Sequence, residues 1–230
     1  MIKRAYFIIF SLVFLYGANN NSVKSLIKTA KMHEKRDDYN SAISIYENLL
    51  KKDPYHRQSL RNLKSIYINQ EKYLDGIQFL EKRIKTLPNN FNNYSDLGEF
   101  YYLNNQTAYA DSIWEKGINK FKNQRPFYRI MLSLYGKYNL NDQISNLLNF
   151  GRVQFGKSFL AYEAGIYFQA RSAYDKSLDQ FLLYLINEPE QNGIIERRVL
   201  LMSDDETAIP IIERKLIEAS NKNSGLTLNL

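Results

Sequence analysis

The stretch from Asp37 to Pro54, DDYNSAISIYENLLKKDP, places a small residue, Ala42, four positions before the bulky Tyr46 and ends in proline. Its apolar residues recur every three or four positions, which is the spacing of one face of an α-helix. A small residue on that face lets a second helix approach closely, while a bulky neighbour fills the space beside it. The stretch therefore predicts a helix that packs tightly against a partner helix.

The pattern returns along the chain with a step of 34 residues, as in Pro54 and Pro88. Three sets of equivalent positions, here called columns, are spaced by 34 residues, except that the last interval in each is 33. They are the aromatic column (His33, Tyr67, Tyr101, Tyr135, Phe168), the small column (Ala42, Gly76, Ala110, Ile144, Ser177) and the bulky column (Tyr46, Leu80, Trp114, Leu148, Phe181). Such a period is typical of stacked helical repeats, because one repeat alone cannot bury its apolar face.

Each repeat is predicted to hold two helices joined by a short turn. In the first repeat, one helix runs from about Val23 to Lys35, and the second extends to Lys52 with Asp38 or Asn40 available as its N-cap. Later repeats follow this plan, with polar breaks such as NQEKY and NNQTA inside repeats and LPNN between two of them.

These columns resemble the tetratricopeptide repeat, which carries an aromatic residue, Leu-Gly and Tyr in its first helix and Ala, Phe and Pro in its second. The third repeat fits best, through Tyr94, Leu97, Gly98, Tyr101, Ala110 and Trp114. The fourth fits least, because Leu132 and Ile144 occupy slots for small residues, so looser packing is expected there. The resemblance implies an all-α fold, a right-handed superhelical solenoid of antiparallel helix pairs, with about five repeats and a divergent sixth pair.

The predicted organisation has four parts. Residues 1–18 are a signal peptide or a short N-terminal anchor, and residues 23–191 hold five repeats, at 23–56, 57–90, 91–124, 125–157 and 158–191. Residues 192–222 form a divergent C-terminal helix pair, and residues 223–230 are a tail. The tail offers three leucines and no polar cap, so one hypothesis is that the chain is the N-terminal part of a longer array.

The N-terminal segment has the layout of a secretory signal, with two cations followed by an uncharged apolar run from Ala5 to about Tyr16. A helix over residues 5–18 would be ~21 Å long at ~1.5 Å per residue, short of the ~30 Å of hydrocarbon in a bilayer. We therefore expect export, to the periplasm or the cell envelope. Because Tyr16 or Leu15 stands where a small side chain is expected at the cleavage site, an uncleaved membrane anchor stays open as the alternative.

The sequence shows no catalytic or metal-binding constellation. The chain has no cysteine and only two histidines, His33 and His56, which are too few for a clustered metal site. The acidic pairs Asp37-Asp38 and Asp204-Asp205 precede predicted helices, where capping explains them. We therefore predict that the chain is not an enzyme and needs no cofactor and no metal. An enzyme with an unrecognised site is the less favoured alternative.

The resemblance implies a partner protein or extended peptide, bound in a concave groove that the first helices line. Carrying that groove onto this chain selects Lys24, Lys28, Lys31, Arg61, Asn62, Ser65, Asp96, Glu99, Tyr102, Arg129, Tyr162 and Glu163. The groove is thus expected to be basic near its N-terminal end and acidic farther along. A family mode that clamps two carboxylates is rejected, because Asp96 stands where that mode requires arginine and only Asn62 fits.

The formal net charge of +7 leaves a second class of partner open. The alternative function is binding of an anionic polymer, either nucleic acid or acidic polysaccharide. Nucleic acid is not expected, because most of the tyrosines that can be placed fall in packing positions and an exported chain does not meet cytosolic nucleic acid. Contact with a membrane is expected only through an uncleaved N-terminal segment.

Overall fold

The computed structural model describes residues 22–222 of the chain. Its helices are α1 (residues 22–34), α2 (Tyr39–Lys52), α3 (Arg57–Asn69), α4 (Tyr73–Thr86), α5 (Phe91–Leu103), α6 (Thr107–Lys120), α7 (Arg125–Lys137), α8 (Asn141–Phe155), α9 (Ala161–Gln169), α10 (Tyr174–Asn187), α11 (Asn192–Ser203) and α12 (Ile209–Lys222). A short 3-10 helix, Pro189–Gln191, precedes α11. These residues contain no strand, and the prediction of an all-α repeat of helix pairs is confirmed.

Two sequence predictions fall on residues that the structure does not describe. The segment predicted as a signal lies before residue 22, and the tail with its leucines lies after residue 222. Within the described range, none of the helices is long and apolar enough to cross a bilayer.

The described chain divides into two compact units. Unit 1 comprises the residues up to Thr86 together with Phe100–Thr107, and unit 2 comprises Leu87–Glu99 together with the residues from Ala108 onward. Helices α1 to α4 therefore lie in unit 1, and α7 to α12 lie in unit 2. Helices α5 and α6 contribute residues to both units.

The turn inside each of the first five helix pairs uses one backbone motif. A residue in the left-handed region, with φ between 52° and 58°, occurs at Asp37, Glu71, Asn105, Asn139 and Ser172. The next backbone N–H donates to a carbonyl five residues earlier, for example from Lys72 to Tyr67 at 2.8 Å. This is the Schellman motif, which satisfies carbonyls at a helix C-terminus. All five acceptors belong to the aromatic column, so this column marks where each first helix ends.

The second helix of the first pair begins where the capping chemistry predicts. Of the two predicted N-caps, Asp38 caps α2, because its carboxylate accepts a hydrogen bond from the Ser41 N–H at 3.3 Å. Asn40 lies inside the helix instead. Helix α2 ends at Lys52, before Asp53-Pro54, as predicted.

Small residues meet large rings across the helix pairs. In unit 1, a Cβ added to Gly76 would lie 2.7 Å from the Phe100 ring. In unit 2, a Cβ on Gly98 would lie 2.1 Å from the indole of Trp114, whose Nε1–H donates to the Ser95 carbonyl at 3.2 Å. Trp114 is among the most deeply buried side chains. Gly76 of the small column and Gly98 of a first helix therefore both mark places where helices approach closely.

The fourth pair is densely packed, which corrects the expectation of looser packing there. Leu132 and Ile144, which replace small residues, are both buried. The close contacts occur at other positions of the same two helices: a Cβ on Gly136 would lie 2.9 Å from Tyr167, and a Cβ on Gly151 would lie 2.8 Å from Phe159. In this pair the small residues that allow close contact thus occur at positions other than the usual ones, which Leu132 and Ile144 occupy.

The sixth pair, α11 and α12, packs on α10 around a buried cluster of Tyr174, Leu178, Phe181, Leu185, Ile195, Val199, Met202, Ala208 and Ile212. Asp205 closes the turn between the two helices, because its carboxylate accepts hydrogen bonds from the N–H and hydroxyl of Thr207 and from the Tyr174 hydroxyl. Where the bulky column would continue, Lys215 reaches Asp179 at 2.5 Å and Asp175 at 3.1 Å. The pair is divergent, as predicted, because a charged residue replaces the bulky one.

Gly98→Ala should lower the free energy of unfolding by about 1 to 3 kcal/mol, because the added methyl overlaps a buried, hydrogen-bonded indole. Gly193→Ala is the matched control, since nothing lies within 4 Å of the Cβ that it adds to α11. This control should leave stability unchanged or raise it by up to ~1 kcal/mol through helix propensity. Urea denaturation midpoints measure both. Equal midpoints for the Gly98 variant and the parent would contradict the close approach.

Glu71→Gly should raise the free energy of unfolding by about 1 kcal/mol, because an L side chain is strained in the left-handed region and glycine is not. Asn105→Gly changes the equivalent turn of the next pair and should gain less, since asparagine tolerates this conformation. Thermal denaturation followed by circular dichroism gives the comparison. A loss of stability in the Glu71 variant would argue against the turn geometry.

Candidate functional site

The first helices of unit 1 form a basic surface, here called the basic face. It carries six cations, namely Lys24, Lys28 and Lys31 on α1 and Arg57, Arg61 and Lys64 on α3. All except Lys64 are exposed, and Ser65 is exposed beside them. Glu34 is the one carboxylate that the described residues of these two helices contain, and it accepts a hydrogen bond from the Tyr46 hydroxyl. The basic face therefore has a strong excess of positive charge.

Asn62 has a packing role in the structure. Its side-chain amide donates to the Tyr46 hydroxyl at 2.8 Å, so Tyr46 lies between Asn62 and Glu34. Burial, followed by the hydrogen bond to Glu34, raises the pKa of Tyr46, and its hydroxyl stays neutral. Tyr102, the remaining groove residue predicted in unit 1, is half-buried.

In unit 2, Glu99 is buried although it was predicted to line the groove. Its side chain is 2% exposed, and Oε1 accepts hydrogen bonds from Lys137 Nζ at 2.8 Å and from the Tyr138 hydroxyl at 2.7 Å. The physical reason is the ion pair, which lets a carboxylate be taken out of water between two helices. Lys137 is 55% exposed, so the group that meets solvent here is a cation. Asp96, one turn earlier, is half-buried.

A second ion pair in unit 2 lies near the surface. Arg129 Nε donates to Glu163 Oε1 at 3.0 Å, and the two side chains are 55% and 38% exposed. Next to this pair, Tyr162 packs on Phe181, and the guanidinium of Arg198 lies 5.9 Å from its ring centroid. Arg129 lies on α7, and Tyr162 and Glu163 lie on α9, the next first helix along the chain.

The twelve predicted groove residues divide between the units. Unit 1 holds Lys24, Lys28, Lys31, Arg61, Asn62, Ser65 and Tyr102, and unit 2 holds Asp96, Glu99, Arg129, Tyr162 and Glu163. Sequence reasoning missed Arg57, Lys137 and Arg198, because it carried over family positions and ignored the charge on neighbouring positions of the same helices. A count of charges along α3, which has cations and no carboxylate, would have found Arg57.

The groups singled out for possible chemistry serve helix ends in the structure. His33 Nδ1 lies 2.8 Å from an Asp38 carboxylate oxygen, and His56 caps α3 through Ser59. Asp37 accepts a hydrogen bond from the Tyr39 hydroxyl at 2.8 Å. Among the described residues, no three His, Cys, Asp or Glu side chains cluster as metal ligands would.

Comparisons with known proteins give structural likenesses only. No protein-family model matches the chain, and a search of curated proteins finds no match. A thermophilic TPR protein from Thermus thermophilus is 14% identical, with 76% of this chain and 96% of that chain covered and a TM-score of 0.42. A tetratricopeptide repeat protein from Parabacteroides merdae is 17% identical, with coverages of 86% and 80% and a TM-score of 0.42. YrrB, a TPR protein with an unusual peptide-binding site, is 16% identical, with coverages of 76% and 92% and a TM-score of 0.35.

At these identities and TM-scores the likenesses carry no argument about family or function, and the architecture is described from the chain's own features. The 34-residue step in the sequence, the helix pairs that follow it, the repeated turn and the contact of Gly98 with Trp114 all belong to one pattern. These features give the described residues an all-α architecture of repeated helix pairs, which resembles the tetratricopeptide repeat.

Proposed function

We propose that this chain is a non-catalytic scaffold that binds an acidic segment of a partner polypeptide on the basic face of unit 1. The observation that carries the proposal is the charge of that face, where five cations are exposed and the one carboxylate of the described residues of α1 and α3 already accepts a hydrogen bond. Such a surface attracts anionic segments and speeds their association. Placement in the cell envelope is part of the proposal and rests on the resemblance of residues 1–18 to a signal.

The spacing of the lysines suits an extended ligand. Lys24, Lys28 and Lys31 lie four and three positions apart, so they share one side of α1. Arg61 lies on the exposed side of the next first helix, and packed helices are about 8 to 10 Å apart. An acidic segment that crosses both helices would therefore meet cations at each step.

A polypeptide is favoured over a nucleic acid because the described residues of α1 and α3, which carry the basic face, include no exposed aromatic ring for base stacking. Binding of single-stranded nucleic acid uses aromatic side chains on which bases stack. The tyrosine of α3, Tyr67, is 4% exposed, and α1 has no Phe, Tyr or Trp in its described residues. The tyrosines Tyr46, Tyr94, Tyr128, Tyr135 and Tyr174 are likewise buried. Their rings serve the core of the repeat.

The test uses a labelled peptide of alternating glutamate and glycine, with its lysine counterpart and oligo-dT as comparison ligands. Lys28→Glu with Lys31→Glu should slow association of the glutamate peptide and weaken the dependence of the rate on salt, since exposed charges act mainly on encounter. Stopped-flow fluorescence at two ionic strengths measures the rate.

The matched control is Lys51→Glu with Lys52→Glu, which makes the same charge change on exposed residues of α2 in the same unit. It should have a much smaller effect than the α1 variant. An equal effect would mean that net charge alone attracts the peptide. Tighter binding of oligo-dT than of the glutamate peptide would favour the anionic-polymer alternative instead.

The two ion pairs of unit 2 should differ in what they contribute to stability. Lys137→Met removes an ion-pair partner of the buried Glu99 and should cost about 1 to 3 kcal/mol, whereas Arg129→Met removes the partner of the more exposed Glu163 and should cost under about 1 kcal/mol. The two cations are equally exposed, so the burial of the partner is the difference that is tested. Urea midpoints give both values. Equal losses would show that burial of Glu99 has no energetic consequence.

A further inference from the structure

Each unit has a cleft between two consecutive second helices, and the two clefts occupy equivalent positions in the repeat. The first cleft, between α2 and α4 in unit 1, has a volume of about 310 Å³, and the second, between α6 and α8 in unit 2, has about 340 Å³. Tyr67 and Glu47 line the first, and Tyr135 and Glu115 line the second. These residues are related by two steps of 34, so the sequence repeat places both clefts.

The clefts differ in charge. The first holds two carboxylates, Glu47 and Asp75, and two lysines, Lys72 and Lys82. One of these lysines is fixed there, since Lys72 Nζ donates to Asn40 Oδ1 at 3.0 Å. The first cleft therefore supplies its own cations, one for each carboxylate.

The second cleft, here called the acidic cleft, has three carboxylates, Asp111, Glu115 and Asp142, and no cation among its lining residues. Two repeat steps after Lys72 and Lys82 stand Leu140 and Phe150. Both cations of the first cleft have thus been replaced by apolar side chains. The residues that line the acidic cleft therefore include no positive charge to balance the three carboxylates.

The wall of the acidic cleft combines this charge with apolar surface. Leu147 and Ile118 line it, and Phe150 is 47% exposed at its edge. The three carboxylates are exposed, and Asp111 accepts a hydrogen bond from the Gln143 amide at 3.3 Å. Burial, and then the charge of Asp111, raises the pKa of Tyr135, so the tyrosine remains neutral and the charge resides on the carboxylates.

We propose that the acidic cleft receives an arginine or lysine side chain from a partner polypeptide, with arginine preferred. Long basic side chains lay their aliphatic stems on apolar surface and keep their charged heads at polar groups, which matches a cleft lined by the accessible side chains of Ile118 and Phe150 together with Asp111 and Glu115. A guanidinium also stacks on an aromatic face such as Phe150 and binds carboxylates through two donors. The inference does not rest on the proposed function, because it concerns second helices and ligand charge of the opposite sign.

The experiment titrates the full chain, labelled with ¹⁵N, with an acetylated and amidated Gly-Gly-Arg-Gly-Gly peptide. Saturable shifts are expected at the amides of Ile118, Asn119, Gln143 and Asn146, and they should weaken as salt is added. The same peptide with glutamine in place of arginine should give no saturable shift. Absence of saturable shifts with the arginine peptide, or equal shifts with both peptides, would overturn the proposal.

Phe150→Lys is the decisive variant, because it gives the acidic cleft the lysine that Lys82 gives the first cleft. It should weaken peptide binding by about tenfold or more, without lowering the thermal midpoint, since it changes an exposed side chain. Asp111→Asn with Glu115→Gln should weaken binding to a similar extent.

The matched control, Glu47→Gln with Asp75→Asn, makes the same change of charge in the first cleft and should leave peptide binding unchanged. Binding by the Phe150→Lys variant that equals the parent's, or a loss in this control as large as in the Asp111 and Glu115 variant, would contradict the assignment.

Discussion

The structure depends on how closely two helices can approach at the small residues of the repeat. At Gly98 the space that a Cβ would need is filled by the indole of Trp114, and at Gly165 it is filled by the ring of Phe181. The large ring then packs against the backbone of its partner helix, where many weak dispersion contacts add up. A helix pair thus gains its main contact from one small residue and one large one.

The turn keeps the small column in register from pair to pair. The left-handed residue and the Schellman hydrogen bond end each first helix at the aromatic column, and the second helix begins a few residues later. As a result the small column follows the aromatic column by nine residues in every repeat, from Tyr67 to Gly76 and from Phe168 to Ser177 alike. A longer or shorter turn would rotate the small residue away from its partner helix, because each residue advances a helix by about 100°.

These constraints explain what the sequence could and could not predict. The columns revealed the helix pairs, and local residue chemistry revealed the cap at Asp38 and the end of α2 before Asp53-Pro54. The burial of Glu99 was missed, since it depends on Lys137 and Tyr138, which lie 38 and 39 residues away and in no column. The packing of the fourth pair was missed for a similar reason. Gly136 and Gly151 stand outside the small column, so the period could not point to them.

Function in a repeat chain of this kind is expected at surface residues that depart from the period. The residues that recur at each step of 34 are those that pack in the core. A surface side chain that differs between equivalent positions is therefore not required for the fold. The cations of α3, which has no carboxylate, and the loss of both cleft lysines at Leu140 and Phe150 are departures of this sort. Both change charge while the neighbouring tyrosines, Tyr67 and Tyr135, stay in place. Binding specificity can therefore differ between two repeats whose cores are built alike, because the core does not constrain the charge at these positions.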